Sequence, residues 1–254
     1  MSLRLKIFTT FLIVTLATVT LVAILVSRQF TTEVRASLSR SVVNAEEVVQ
    51  TVNTLNIDRL ITEAASLSAD PRLRASLSTM DIETIAQSVN SFAQAYNAPL
   101  LLVLSPQEKY LTGWGLPSTA YGSIAQEPVI TDAMNGFEAG DYWAVNGELM
   151  MIAASPVVTA SRTLGMIVLG RPLDNAILGD LKKMTGSDFA IVVDGMVPHI
   201  TLQNSSNQFK EVLAQIDYGA QPEEFANEND RFIGARILMT NAAGRELASL
   251  IIFE

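Results

Sequence analysis

From Ile7 to Val26 the chain reads IFTTFLIVTLATVTLVAILV, with no charge, proline or glycine. At about 1.5 Å rise per residue, such a run spans roughly the 30 Å hydrocarbon core of a bilayer as an α-helix. A helix satisfies its own backbone hydrogen bonds, so it is the form a lone segment takes there. We therefore expect a cytoplasmic N-terminus and transmembrane helix over residues 1–27, with the lipid bilayer as partner of residues 7–26. A cleaved signal peptide is the competing reading. Against it, the apolar stretch exceeds the usual length of about 7–15 residues, and no small-x-small site follows. Only Arg4 and Lys6 precede the span, whereas all 26 acidic residues follow it. By the positive-inside rule the N-terminus then faces the cytoplasm and the rest of the chain stands outside.

The apolar pattern continues past the span at Phe30, Val34, Leu38, Val42, Ala45, Val49, Val52 and Leu55, with polar residues between. Steps of three and four mark one helix face. This predicts a stalk helix over residues 28–70, ending near Asp70-Pro71. Near-heptad spacing suggests pairing with a second copy, a homodimer through the stalk. Packing of the stalk on the head is the other use of that stripe. We expect pairing near the membrane and packing further out.

The head carries the 26 acidic residues against 17 basic ones less Arg4 and Lys6. That balance excludes nucleic acid as a partner, since phosphate binding needs a basic face. There is no cysteine, so disulfides and thiolate metal sites are absent. The one histidine, His199, sits beside Pro198 in an expected strand. A lone histidine is more often a surface or hydrogen-bonded structural residue than a catalyst or ligand. Gly113-Trp114-Gly115 lacks the lysine and helix start of a phosphate loop, and no G-x-S-x-G occurs. We expect no catalytic group, metal or cofactor.

Along the head, Asp70-Pro71 predicts a cap and first helical residue, and Asp81 caps a helix with Ile82, Ile85, Val89, Phe92 and Tyr96 on one face. Leu100–Leu104 and Lys109–Trp114 read as strands. Glu127-Pro128 opens a short helix that Asn135-Gly136 ends. Asp141–Val145 and Glu148–Ala154 form a hairpin through Asn146-Gly147, and Thr163–Gly170 is a further strand. A similar order recurs. Arg171-Pro172 opens a helix with Leu173, Ile177, Leu181 and Met184 inward. Phe189–Val193 and Val197–Leu202 are strands, and Ser205 with Gln208 is a capping box for a helix carrying Phe209, Val212, Leu213 and Ile216 inward. Residues 217–229 read as a surface loop, and Phe232–Met239 with Glu246–Phe253 as a last hairpin. The element order suggests two stacked modules, each an antiparallel sheet flanked by helices.

Four stretches carry a family resemblance: ADPRLRASL (69–77), GDYWAVNGELMMIAASPVV (140–158), LGMIVLGRPLDNAILGDLKKMTGSDFAIVVDG (164–195) and DRFIGARILMTNAAGRELASLIIF (230–253). With the anchor and stalk they resemble the double Cache sensor domains of bacterial cyclases, histidine kinases, diguanylate cyclases and chemoreceptors. The resemblance implies an α+β fold of two PAS-like antiparallel-sheet modules. The first, membrane-distal, would cover 71–170 and the second, membrane-proximal, 171–254. It implies a periplasmic or extracellular head on the bacterial cell membrane that senses a small molecule. Such receptors continue into a second membrane helix and an output domain. The sequence stops at Glu254 inside an expected strand, so we expect a fragment or truncated product.

In a PAS-like module Trp114, Tyr121, Tyr142 and Trp143 would fall on the strands or loop lining the cavity. Adjacent Tyr142 and Trp143 must point to opposite faces of a strand, so at most one can face a pocket. Packing in the core or at the rim is the bland reading of all four. Amino-acid-binding members carry an aspartate near the end of the first module's last strand. Here that position is Gly170, followed by Arg171. The resemblance therefore implies an anionic or neutral ligand rather than a free amino acid, with Arg171 either contacting it or pairing with a carboxylate at the module junction. Met134, Met150 and Met151 read as core filler. An anchored scaffold that binds partners without a small ligand, and an extracytoplasmic enzyme, are the alternatives to the sensor.

Overall fold

A computed structural model of the chain describes residues 37–115, 124, 127–160, 162–203, 205–215, 222–226 and 231–254. The expected membrane span, the first part of the stalk and Tyr121 lie outside them. Among the described residues no helix is long and apolar enough to cross a membrane.

Helix α1 covers residues 37–68. Its stripe of Val42, Ala45, Val49, Leu60, Ala64 and Leu67 is buried, while Glu47, Gln50, Thr54, Asp58 and Thr62 face solvent. Within α1 the stripe packs on the head from Val42 onward, and the membrane-near part expected to pair lies outside the described residues. Val42, Ala45 and Val49 already pack on the chain's own head, in one cluster with Leu250 and Ile252, whereas Leu55 is 61% exposed. Two short helices follow. In α2 (Pro71–Thr79) the Asp70 carboxylate accepts the Arg72 N–H at 2.8 Å. In α3 (Ile82–Ala95) Asp81 accepts the Thr84 N–H at 3.1 Å. Ile85, Val89 and Phe92 are buried as expected, but Ile82 and Tyr96 are exposed. The first only opens the helix, and the second lies past its last turn, where helical spacing no longer sets direction.

The first sheet has strands β1 (Leu100–Leu104), β2 (Tyr110–Trp114), β3 (Ala139–Val145), β4 (Glu148–Val158) and β5 (Thr163–Pro172), in the order β2-β1-β5-β4-β3. Helix α4 (Pro128–Met134) lies between β2 and β3 in sequence. Asn146 and Gly147 both have positive φ, 53° and 77°, as a two-residue hairpin turn requires. All pairings are antiparallel. Arg171 and Pro172 were expected to open a helix; they extend β5 instead, opposite Met151 and Met150.

The second half begins with α5 (Asn175–Thr185), whose cap is Asp174, accepting the N–H groups of Ala176 and Ile177. Leu178 and Leu181 are buried, but Met184 is 63% exposed. At about 100° per residue the inward stripe leads from Leu181 to Thr185 and passes Met184 by. The second sheet has β6 (Asp188–Val193), β7 (Met196–Ile200), β8 (Glu223–Ala226), β9 (Arg231–Thr240) and β10 (Glu246–Phe253), in the order β7-β6-β10-β9-β8. Helix α6 (Asn207–Gln215) is capped by Ser206, whose Oγ accepts the Phe209 N–H at 3.1 Å, one residue later than the expected Ser205. Strand β8 falls in the stretch expected to be loop. Its polar composition hides one anchor, Phe225, which is buried opposite Phe232.

One face of each sheet packs on α1, α2, α3 and α5, and those contacts form a single apolar cluster. The opposite face of the first sheet is covered by α4, with Trp143, Met150 and Ile152 buried there. The opposite face of the second is covered by α6, with Phe209, Phe225 and Phe253. Two glycines test this packing. A Cβ on Gly165 would lie 2.5 Å from the Leu104 carbonyl oxygen, whereas one on Gly179, inside α5, meets nothing within 4 Å. We expect Gly165→Ala to destabilise by about 1–3 kcal/mol and Gly179→Ala to stabilise by about 0.5–1 kcal/mol, both read as shifts of the urea midpoint.

Candidate functional site

The alternation of strands divides the expected ligand residues between two faces. Trp143 is buried on the α4 side of the first sheet with Leu100, Leu102, Ile130, Met150 and Ile152. Tyr142, its neighbour, packs on the stalk side. Burial, with the Asp141 carboxylate nearby, pushes the Tyr142 hydroxyl up to about 12. Trp114 stands opposite Leu101, also on the stalk side, at the edge strand, and is 40% exposed. These residues do not converge on one pocket.

Gly170 lies on the Trp143 side. A Cβ there would come within 2.6 Å of Leu100 Cδ2. Leu100 thus fills the space that a side chain at position 170 would need. Arg171 points to the stalk, where its Nη2 meets Glu63 Oε2 at 2.9 Å. Glu63 also accepts from Arg59 Nε at 3.1 Å. Arg171, Glu63 and Arg59 line a small groove of about 200 Å³ with Asn56, Leu60, Met151 and Ile177. Of the two roles considered for Arg171, the structure shows a carboxylate pairing, and its partner belongs to the stalk helix.

A more ordered polar cluster lies where the two sheets meet. The turn of the β9–β10 hairpin, Asn241 to Arg245, reaches the first sheet. Asn241 Nδ2 donates to Glu127 Oε2 at 2.9 Å, and Arg245 Nη2 to Glu127 Oε1 at 2.5 Å. The Ala242 N–H donates to both oxygens of Asp141, at 3.1 and 3.0 Å, and the Tyr142 N–H to Oδ1 at 2.8 Å. Glu127, Asp141 and Asn241 are all buried. Burial pushes the Asp141 carboxyl above its ordinary value, against the pull of the Ala242 and Tyr142 N–H groups.

Sequence reasoning placed Glu127 and Asp141 only as the start of a helix and of a strand. One hint was available. Glutamate is a poor N-cap, and Glu127 makes no side-chain cap bond to α4, which leaves its carboxylate for the hairpin. His199 also differs from expectation. It stands opposite Ile191, and both ring nitrogens are buried without a hydrogen-bond partner among the described residues. Among the described residues no group of three or more His, Asp and Glu side chains is placed to hold a metal ion.

Residues 35–238 match a family described as the double sensory domain of two-component sensor kinases. The chain belongs to this family. The match agrees with the double Cache resemblance carried by the sequence. No curated protein sequence matches the chain. Among solved structures, the periplasmic domain of Vibrio cholerae LuxQ is similar, with 14% identity and a TM-score of 0.60, over 84% of this chain and 99% of that one. The sensor domain of the V. cholerae histidine kinase DctB is similar at 13% identity and a TM-score of 0.52, over 83% and 94%. At such identities the likeness speaks for the fold: two α/β modules behind a long helix.

The junction yields two expectations. Glu127→Ala leaves the buried Asn241 amide without its acceptor and should lower stability by about 1–3 kcal/mol, measured as a loss in urea midpoint. Asp141 binds its proton more tightly in the fold than in the unfolded chain, where its value is near 3.9. Its contribution to stability is therefore full below the unfolded value and is lost as pH rises through the raised folded value. Parent stability, read as the urea midpoint, should therefore fall as pH rises above about 4, and Asp141→Asn, which cannot titrate, should flatten that dependence.

Proposed function

We propose that this chain is the sensing head of a bacterial membrane receptor, anchored through residues 7–26, with its head on the far side of the membrane. The family supplies the sensory role, and the two-module fold agrees with it. In this reading a small molecule is sensed on the α4 side of the first module, beside Trp143. The absence of a carboxylate at Gly170 favours a neutral or anionic ligand over a free amino acid. Arg171 serves the stalk through Glu63. Among the described residues of α1, Val43 and Leu55 are the large apolar side chains exposed for a second copy.

The observation that carries the relay is the polar junction. Glu127 opens α4 and Asp141 lies on β3, the strand of Trp143, so both groups that hold the hairpin border the ligand face. A ligand that shifts α4 or β3 changes the hold on the hairpin. Strand β10 then passes the change to the part of α1 packed on the second sheet. Such a relay works only if the ligand binds the two arrangements unequally.

The test is a thermal-shift screen of the full chain in detergent against small carboxylates, sugars, purines and amino acids. Ligand at 100 times its Kd should stabilise by about 2.7 kcal/mol and change the fluorescence of buried Trp143. A flat response across all classes would overturn the ligand reading and favour an anchored partner-binding scaffold.

A further inference from the structure

Two hairpin turns, one from each module, meet at the side chain of Met196. Both are two-residue turns with positive φ at each position: Asn146-Gly147 between β3 and β4, and Asp194 (49°) with Gly195 (73°) between β6 and β7. Met196 directly follows the second turn and pairs with Val193 across it. Its Cε lies over the first turn, where a Cβ on Gly147 would come within 3.2 Å of it. The bare glycine leaves the room that the methyl group takes. The modules thus touch here as well as at the polar hold of Glu127 and Asp141 on the β9–β10 tip. This second contact is apolar and open to solvent, since Met196 is 58% exposed. The chain has no cysteine, so its sulfur chemistry rests on thioethers alone. Met150, Met151, Met166 and Met239 are buried. Met80, the residue that ends α2, and Met184, in the last turn of α5, are exposed like Met196 and serve as internal comparisons.

We propose that Met196 is an oxidation site through which peroxides loosen the contact between the two modules. The sulfur lone pair attacks one oxygen of hydrogen peroxide. The O–O bond breaks, an S–O bond forms, and the departing hydroxide takes the proton of the transferred oxygen and leaves as water. The sulfur is oxidised by two electrons and the peroxide is reduced by two. The product is a sulfoxide, polar where the thioether was apolar. Its oxygen is better solvated by water than by the carbon of Gly147, so the side chain turns outward and the β3–β4 turn loses its cover. Strand β3 leads into that turn and carries Asp141, which accepts the Ala242 N–H. Loosening the turn therefore bears on the hold of the β9–β10 tip. Methionine sulfoxide reductases restore the thioether, so the change is reversible. It requires no ligand beside Trp143 and stands apart from the sensing role.

The test treats the full chain in detergent with dilute hydrogen peroxide. Peptide mass spectrometry should find one added oxygen on Met80, Met184 and Met196. Amide hydrogen exchange over residues 142–149 and 241–245 should then rise about fivefold, and a sulfoxide reductase with a thiol reductant should reverse the rise. Met196→Leu keeps the apolar contact and removes the sulfur. This variant should show no rise after peroxide, although Met80 and Met184 still take up oxygen. Met196→Gln, polar and of similar length, should show the raised exchange without peroxide. The proposal is overturned if Met196 stays unmodified while Met80 and Met184 react. It is equally overturned if its oxidation leaves exchange unchanged, or if Met196→Leu responds to peroxide as the parent does. The ligand screen is run without oxidant, so failure of either reading leaves the other standing.

Discussion

The architecture depends on one apolar stripe shared by two sheets. Val42, Ala45 and Val49 of α1 pack in the same cluster as the second sheet, and Leu60, Ala64 and Leu67 join it to the first. Burying each larger aliphatic side chain is worth about 1.5–3 kcal/mol. Polar contacts pin the same helix along its length. Ser41 Oγ donates to Glu254 at 2.6 Å, Glu63 accepts from Arg171, and Ser68 pairs with Ser155 at 2.9 Å. A continuous small slide of α1 would break these contacts together. In the proposed receptor a change in the head would reach the stalk as a step between two packings, because close-packed interfaces are not continuously deformable.

The junction between the sheets has the opposite character. The hairpin tip is held by Glu127 and Asp141 through hydrogen bonds in a buried setting. Such bonds are strong when complete and costly when half made. That makes the junction the natural place for two discrete arrangements. The stripe gives the head its unity, and in the proposed relay the junction is where it would switch. His199, with two buried ring nitrogens, and Asn53, with a buried Oδ1, are further polar groups whose atoms lack a hydrogen-bond partner among the described residues.

The main lines of the fold could be read from residues one neighbourhood at a time. Leu100–Leu104 is a buried strand because five consecutive apolar residues of strand length suit nothing else between Pro99 and Ser105-Pro106. Asn146-Gly147 marks the turn between β3 and β4 because both positions need positive φ. Asp70, Asp81 and Asp174 mark helix starts because a short carboxylate reaches the free N–H groups there. Reading failed where one distant contact decided the matter. Strand β8 exists because Phe225 meets Phe209, Phe232 and Phe253, a partnership no local window contains. Arg171-Pro172 looks like a helix start, yet β4 offers it a strand partner.

The site shows the same limit more sharply. That Tyr142 and Trp143 face opposite ways follows from strand geometry alone, but which of them faces the α4 side depends on where the sheet sits between its helices. The sequence by itself determined most of the element order, the two-module plan, the acidic balance and the stripe on the stalk helix, because these rest on short-range periodicity and composition. Only the tertiary structure decided that the stripe serves the chain's own head, that Arg171 answers to Glu63, and that Glu127 and Asp141 hold a hairpin more than a hundred residues away. Charge partners across such separations are chosen by the packing of whole sheets, and nothing in the local spacing of either residue encodes that choice.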